Sequence, residues 1–142
     1  MPLSIQARRA WLEKVPLLSG CPEDVIANLA EVTAEISFAD GQAIVRQGQV
    51  GNGLYILVSG SARIVQGSDE LTRIGPGDFF GELAVIDQRP RTASAIAVGA
   101  TVCLALASWD LLAVLEREPS VSLNLLRELA RRLRATDEQL RH

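Results

Sequence analysis

The chain has 142 residues and a formal net charge of −3, and 48% of its residues are apolar while 22% are charged. This length and balance predict one globular domain and disfavour non-specific binding to nucleic acid, which requires a basic surface. The single histidine is the last residue, His142, so the sequence offers no internal histidine for a histidine-based zinc site or a Ser-His-Asp triad.

The N-terminal residues predict helices rather than a targeting segment. No apolar run reaches the ~18 residues of a membrane span, and the first residues lack the unbroken apolar stretch of a signal peptide. We therefore expect a cytoplasmic protein without a membrane span. A short helix is predicted over residues 7–15, and apolar residues at helical spacing predict a second one up to about residue 34, with Pro22, Glu23 and Asp24 in its first turn.

From residue 35 to residue 107 the pattern changes to short β-rich runs separated by glycines. The runs are "QAIVRQG", "LYILVSG", "SARIVQG", "LTRIG", "TASAIAV" and "TVCLALA". Many short strands with closely spaced turn signals are typical of a sandwich or barrel, and the glycines are expected to supply positive φ at the turns. Cys21 and Cys103 are expected to be free buried thiols, as is usual for a cytosolic chain.

The C-terminal residues, about 108–140, again predict helices. Ser108 is expected to cap the first of them and Pro119 to open the second. Leu126, Leu129, Leu133 and Leu140 follow at spacings of three, four and seven, a narrow apolar seam suited to a partner helix or to folding back. The predicted fold of residues 1–142 is a single mainly β domain (α+β), an antiparallel β-roll with an N-terminal helical segment and a lid of C-terminal helices.

The stretch "FGELAVIDQRPRTASA", residues 80–95, places Glu82 and Arg91 in an otherwise apolar context. Gly81 lets the backbone approach a ligand closely, and a helix that starts here would point free N–H groups at an anion. The planar fork of Arg91 matches phosphate oxygens, and a carboxylate such as Glu82 can accept from ribose hydroxyls. The alternative is a surface ion pair between the two residues, worth only ~0–1 kcal/mol.

The residues Phe80-Gly81-Glu82-Leu83-Ala84 and Pro90-Arg91-Thr92-Ala93-Ser94 closely resemble the phosphate-binding cassette of the cyclic-nucleotide-binding domain family. This family includes regulatory subunits of cyclic-nucleotide-dependent kinases, domains of cyclic-nucleotide-gated channels and catabolite-activator-type regulators. The resemblance covers roughly residues 12–140, including "VPLLSGCPEDVIANLA", "GLYILVSGSARIV" and "PGDFFGELA".

The resemblance implies a role for each cassette residue. Arg91 would hold the cyclic phosphate, Glu82 would accept from the ribose 2′-hydroxyl, and Gly81 would permit close approach to the ribose. The N–H groups of Leu83 and Ala93 and the Thr92 hydroxyl would complete the cradle. The base would lie on the roll, with Val65, Ile74 or Phe79 as neighbours.

The resemblance favours cyclic AMP as the ligand and implies no further cofactor. Cyclic GMP stays open, because the Thr92 hydroxyl resembles that of family members which tolerate the guanine amino group. By position, Arg132 resembles the arginine with which some channel domains cap the base. The alternative for Arg132 is a solvated helix face.

The predicted function is that of a non-enzymatic regulatory module that repositions its C-terminal helix when a cyclic nucleotide binds. The expected partners are the nucleotide and a protein effector that contacts this helix, with a homodimer also possible and no direct contact with nucleic acid. The chain could instead be the ligand-sensing part of a larger catabolite-activator-type regulator, a channel or an enzyme. A cupin-type metalloenzyme is disfavoured, because no internal histidine is present.

Overall fold

The N-terminal segment is helical, as predicted. The structure is a computed structural model that describes residues 2–51, 53–81, 86 and 88–141, with residues 139–141 described by their backbone alone. Helix α1 spans Ile5–Glu13, a 3-10 turn spans Pro16–Leu18 and α2 spans Glu23–Val32. The Ser4 hydroxyl accepts a hydrogen bond from the Ala7 N–H at 3.1 Å and so caps α1. Pro22 is the N-cap of α2. Glu23 and Asp24 lie in the first turn, where their negative charges interact favourably with the positive end of the helix dipole.

In the part of the chain that the structure describes, six antiparallel strands form the centre of the molecule. They are β1 (Ala34–Phe38), β2 (Ala43–Val45), β3 (Gly53–Gln66), β4 (Asp69–Ile74), β5 (Phe79–Phe80) and β6 (Ser94–Ala107). Strand β6 pairs with β1, β2 and β3, while β3 pairs in addition with β4 and β5. The predicted antiparallel β-roll flanked by helices is confirmed.

The two longest strands are continuous where the sequence predicted breaks. The runs "LYILVSG" and "SARIVQG" form the single strand β3, and "TASAIAV" and "TVCLALA" form most of β6. Gly60 has a φ of 81° and Gly99 a φ of 72°, so glycine does supply positive φ at both positions. However, the ladder resumes after register shifts around Ser59, which pairs with Val102. These glycines therefore bend two long strands rather than separate four short ones.

Alternation along β3 and β6 divides the apolar core into two clusters. Leu54 and Ile56 of β3 pack with the helices, whereas Tyr55 between them and Leu57 after them pack into the interior of the roll. On β6, Leu104 packs toward the helices and Cys103 into the roll. The period of two puts one face of the sheet under the helices and leaves the other to line the roll.

The C-terminal helices are α3 (Ser108–Arg117) and α4 (Pro119–Arg141). Pro119 opens α4, as predicted. The prediction that Ser108 caps α3 is wrong, because Ala107 occupies the cap position and the Ser108 hydroxyl is buried without a hydrogen-bond partner among the described residues. Among the helices that the structure describes, none has the length and apolar character needed to cross a membrane.

The first half of α4 is anchored and the second half is exposed. Val121 and Leu125 are buried, and the Asn124 side chain donates to the Ser19 carbonyl at 2.7 Å. The predicted leucine seam is divided between two faces of the helix. Leu129 packs against the helical core, whereas Leu126 and Leu133 are 62% and 65% exposed. The Leu140 side chain lies outside the described part of the chain.

Both cysteines are free, as expected. Cys103 is buried inside the roll, and this burial raises the pKa of its thiol to about 12. Cys21 is only half-buried, and burial, with the charges of Glu118 and Asp24, raises its pKa as well. A high pKa leaves little thiolate at neutral pH, so neither thiol is suited to nucleophilic chemistry.

Candidate functional site

A cavity of about 430 Å³ opens on the interior face of the roll. This volume lies within the range of cavities that bind small molecules. Its apolar wall is formed by side chains of β2, β3, β4, β5 and β6, namely Val45, Ile64, Ile74, Phe79, Phe80 and Ala95. Its polar wall is formed by Thr72, Arg91, Thr92, Ser94 and Arg132. The cavity is thus lined mainly by apolar side chains, with a few polar side chains among them, of which two are arginines.

Arg91 is buried on the wall of this cavity. Its residue surface is 9% exposed, and its Nη2 donates to the Gly53 carbonyl at 3.0 Å. The guanidinium carbon lies 5.8 Å from the centre of the Tyr55 ring, which itself stacks on Phe80 with 5.4 Å between ring centres. A guanidinium over an aromatic face is attracted to it. Arg91 is therefore part of the interior, not of the surface, while its pairing with Glu82 concerns a residue outside the described part of the chain.

The backbone of Arg91 is held by the turn at Gly48 and Gln49. Its N–H donates to the Gln49 carbonyl at 2.8 Å, and its carbonyl accepts from the Gly48 N–H at 2.8 Å. Gly48 has a φ of 87°, so glycine is suited to this turn. Two backbone bonds and a buried side chain leave the guanidinium little freedom, so its position is set before any ligand arrives.

Gly81 approaches the arginine closely enough to exclude any side chain. A Cβ at this position would lie 2.7 Å from the Gly53 carbonyl oxygen and 2.8 Å from Nη1 of Arg91. Its φ of 101° is also one that other residues rarely adopt. The backbone just after strand β5 thereby lies directly against Arg91, which follows Gly81 by ten residues in the sequence.

The residues after Arg91 are held by polar contacts from two glutamines. Gln66 donates from Nε2 to the Thr92 carbonyl at 3.2 Å, and the Gln47 N–H donates to the Ser94 hydroxyl at 2.8 Å. The Gln47 side chain accepts in turn from the Gly67 N–H at 2.8 Å. Thr92 is exposed at the cavity mouth and Ala93 is half-buried, so this segment presents small groups to a ligand.

Arg132 reaches the cavity from α4. Its side chain is 43% exposed, and its Nε donates to Oε1 of Glu128 at 3.1 Å. The two arginines of the cavity therefore differ: Arg91 is fixed in the roll, while Arg132 is carried by the exposed half of the last helix.

Comparison with known proteins shows the family of this chain. The sequence profile described as "Cyclic nucleotide-binding domain" matches residues 35–118, more than half of the chain. The chain belongs to the cyclic nucleotide-binding domain family. It is 40% identical over 131 residues to the "Cyclic AMP receptor protein" of Thermus thermophilus, covering 88% of this chain and 60% of that protein. It is 33% identical over 134 residues to the "CRP-like cAMP-activated global transcriptional regulator" of Mycobacterium tuberculosis, covering 91% of this chain and 60% of that protein.

Solved structures of the family agree with the fold. The regulatory domain of Toxoplasma gondii PKA, solved with cAMP, is similar with a TM-score of 0.79 and 28% identity. The similarity covers 89% of this chain and 50% of that one. The chain spans about 60% of the length of the curated relatives named above.

In this cyclic nucleotide-binding domain the predicted site residues fall into two groups. Gly81, Arg91, Thr92, Ala93 and Arg132 all line the one cavity. The other three, Glu82, Leu83 and Ala84, lie outside the described residues. The profile match includes every cavity residue except Arg132, which lies beyond its end. The individual roles of these residues in holding a nucleotide stay predictions.

The predicted neighbours of the base need one correction. Ile74 and Phe79 line the cavity, but Ile64 takes the place expected for Val65. The pairing of β3 with β4 shifts register between Ile64 and Val65, and adjacent strand residues point to opposite faces. Sequence reasoning also missed Thr72, which lines the cavity with a hydroxyl. The available signal was its place between an apolar and a charged residue on one short strand.

Proposed function

We propose that this domain binds cyclic AMP in the 430 Å³ cavity and acts as a regulatory switch. The observation that carries the proposal is the buried Arg91 on the wall of a cavity of ligand size. Its guanidinium would pair with the cyclic phosphate, whose single negative charge needs a partner once water is excluded. The ribose would lie along Gly81 and Glu82, and the base would pack on Ile64 and Phe79.

Cyclic AMP is proposed over cyclic GMP because the relatives in Thermus and Mycobacterium are named for cyclic AMP. The exposed Thr92 and the wall hydroxyl of Thr72 both provide acceptors for a base amino group, so cyclic GMP is the comparison ligand. The relatives named above are regulators. We still predict that the domain has no enzymatic activity and no cofactor, makes no direct contact with nucleic acid and is located in the cytoplasm.

Cyclic AMP is expected to raise the melting temperature of the protein. A ligand at one hundred times its Kd stabilises the native state by about 2.7 kcal/mol, which corresponds to roughly 5–12 °C for a domain of this size. The measurement is a thermal-unfolding series with cyclic AMP, cyclic GMP and adenosine, which has the same base and ribose but no phosphate. Adenosine should shift the curve little. No shift with either cyclic nucleotide at millimolar concentration would refute the proposal.

The regulatory part of the proposal concerns α4. Its first half is fixed by Val121, Leu125 and Asn124, while every described side chain from residue 130 to residue 138 is exposed. Arg132 lies in this exposed half and lines the cavity. A bound nucleotide would therefore offer the exposed half a surface that the empty roll does not, and so shift the helix toward the cavity.

Amide hydrogen exchange is expected to detect this shift. Cyclic AMP should slow exchange over residues 130–138, whereas exchange around the anchored Val121 and Leu125 should change much less and serves as the internal control. The comparison is made with and without ligand on the same protein. Equal exchange of residues 130–138 in both states would mean that α4 is static and that the signal leaves by another route.

The exposed Leu126 and Leu133 supply a candidate contact for the protein that receives the signal. They are seven residues apart and so lie on one face of α4. We include a protein effector, or a second copy of the chain, at this face as part of the proposal. The alternative, that the chain is the sensing part of a longer transcription regulator, is equally compatible with its covering 60% of such relatives.

A further inference from the structure

The carboxylate of Glu128 is shared by two consecutive arginines of α4. Its Oε1 accepts from Nε of Arg132 at 3.1 Å, and its Oε2 accepts from Nε of Arg131 at 3.1 Å. A further bond joins Nη2 of Arg131 to Oε1. Glu128 is the least exposed of the three side chains, at 31% against 43% for Arg132 and 73% for Arg131.

The two arginines line different cavities. Arg132 lines the nucleotide cavity, whereas Arg131 lines a second cavity of about 330 Å³ between α4 and the 3-10 turn. Glu128 lines this second cavity too, and Phe79 lines both. The carboxylate thus lines the second cavity and binds one arginine from each cavity at the same time.

We propose that Glu128 is a positioning residue for nucleotide binding, which holds the Arg132 guanidinium at the rim of the nucleotide cavity. The inference rests on the proposed function, since it concerns how that same cavity is completed. Glu128 precedes Arg132 by four residues, the spacing and order that favour a helical ion pair. An arginine already held in one geometry loses less conformational freedom when a ligand arrives, so its contact with the ligand contributes more to affinity.

Electrostatics keep this contact intact at neutral pH. Hydrogen bonds from Arg131, and then from Arg132, hold the pKa of Glu128 below its usual range, so the carboxylate stays ionised. Its negative charge also reduces the attraction of Arg132 for a phosphate. We expect positioning to outweigh this reduction, because solvent weakens the effect of an exposed carboxylate on a phosphate, whereas loss of the bond to Nε removes a contact that orients the guanidinium.

Glu128→Ala is therefore expected to weaken cyclic AMP binding by about two- to fivefold, within the range that exposed ion pairs contribute. Glu128→Gln keeps an oxygen that can accept from Nε of Arg132 and should recover part of this loss. Arg131→Gln removes the other arginine bound to this carboxylate without changing a residue that lines the nucleotide cavity, and should leave affinity unchanged or raise it up to about twofold. These arginines are adjacent and bind the same carboxylate, which makes Arg131 a matched control.

The test is a double-mutant cycle by calorimetry with cyclic AMP on the full chain. If Glu128 acts through Arg132, Glu128→Ala has its effect in the wild-type and Arg131→Gln backgrounds and none in the Arg132→Gln background. A loss of equal size in the Arg132→Gln background, or no loss in the wild type, overturns the inference. Melting curves without nucleotide check that each variant is folded. If the wild type itself binds no cyclic nucleotide, the proposed function fails; binding with zero coupling removes the positioning role alone.

Discussion

Arg91→Ala is expected to weaken cyclic AMP binding by ~2–5 kcal/mol, roughly thirtyfold to several-thousandfold in Kd. Arg91 as a residue is 9% exposed, and its guanidinium donates to the Gly53 carbonyl and lies beside Tyr55. Its loss would leave a phosphate charge in a largely apolar cavity without its partner, and an uncompensated buried charge is costly. Calorimetry with cyclic AMP measures the loss directly.

Controls separate this effect from a general loss of structure or charge. Arg89→Ala removes a positive charge two residues away, from an exposed residue that does not line the cavity, and should change affinity by less than about threefold. Arg91→Lys keeps the charge but loses the planar fork, so its affinity should fall between the two. Denaturant unfolding without nucleotide reports what the Gly53 bond contributes to the fold. If Arg91→Ala binds cyclic AMP with near-normal affinity, the prediction is wrong and Arg91 serves the fold alone, through its bond to the Gly53 carbonyl.

The sequence predicted the class of fold because alternation and glycine spacing are local signals. It failed on strand continuity, which is set by the partner strand. Gly60 and Gly99 read locally as turns, yet pairing continues on both sides of them through shifted registers. The prediction that Ser108 caps α3 was wrong for a related reason. A serine at a strand–helix junction is a good cap in isolation, but here its hydroxyl is buried and Ala107 takes the cap position.

The candidate site was predictable where its residues are close in sequence. Arg91 and Gly81 stand out in one stretch of sixteen residues, and both line the cavity. Their surroundings come from far away: the Gly53 carbonyl that binds Arg91 is 38 residues distant. The choice of Ile64 over Val65 depends on a register shift against β4, which no local pattern reveals.

Gly60→Ala is expected to lower the free energy of unfolding by about 2–6 kcal/mol, a large share of the total stability of a small domain. Alanine would have to adopt a φ of 81°, and its Cβ would lie 2.5 Å from the Ala100 carbonyl oxygen and 2.8 Å from the Thr101 Cα. Backbone atoms of a paired strand cannot move aside without breaking the β3–β6 ladder. The Thr101 hydroxyl, which donates to the Ser61 carbonyl at 3.1 Å, would be displaced as well.

Gly99→Ala is the matched control for this clash. Its φ of 72° is nearly the same, but a Cβ there would meet no atom within 4 Å. It should therefore cost only the backbone term, about 1–2 kcal/mol. Urea unfolding of both variants measures the difference, which isolates the contact with β6 from the strain of a left-handed residue. Equal costs would mean that β6 yields locally at Thr101, and that close packing at this bend does not hold the two long strands in register.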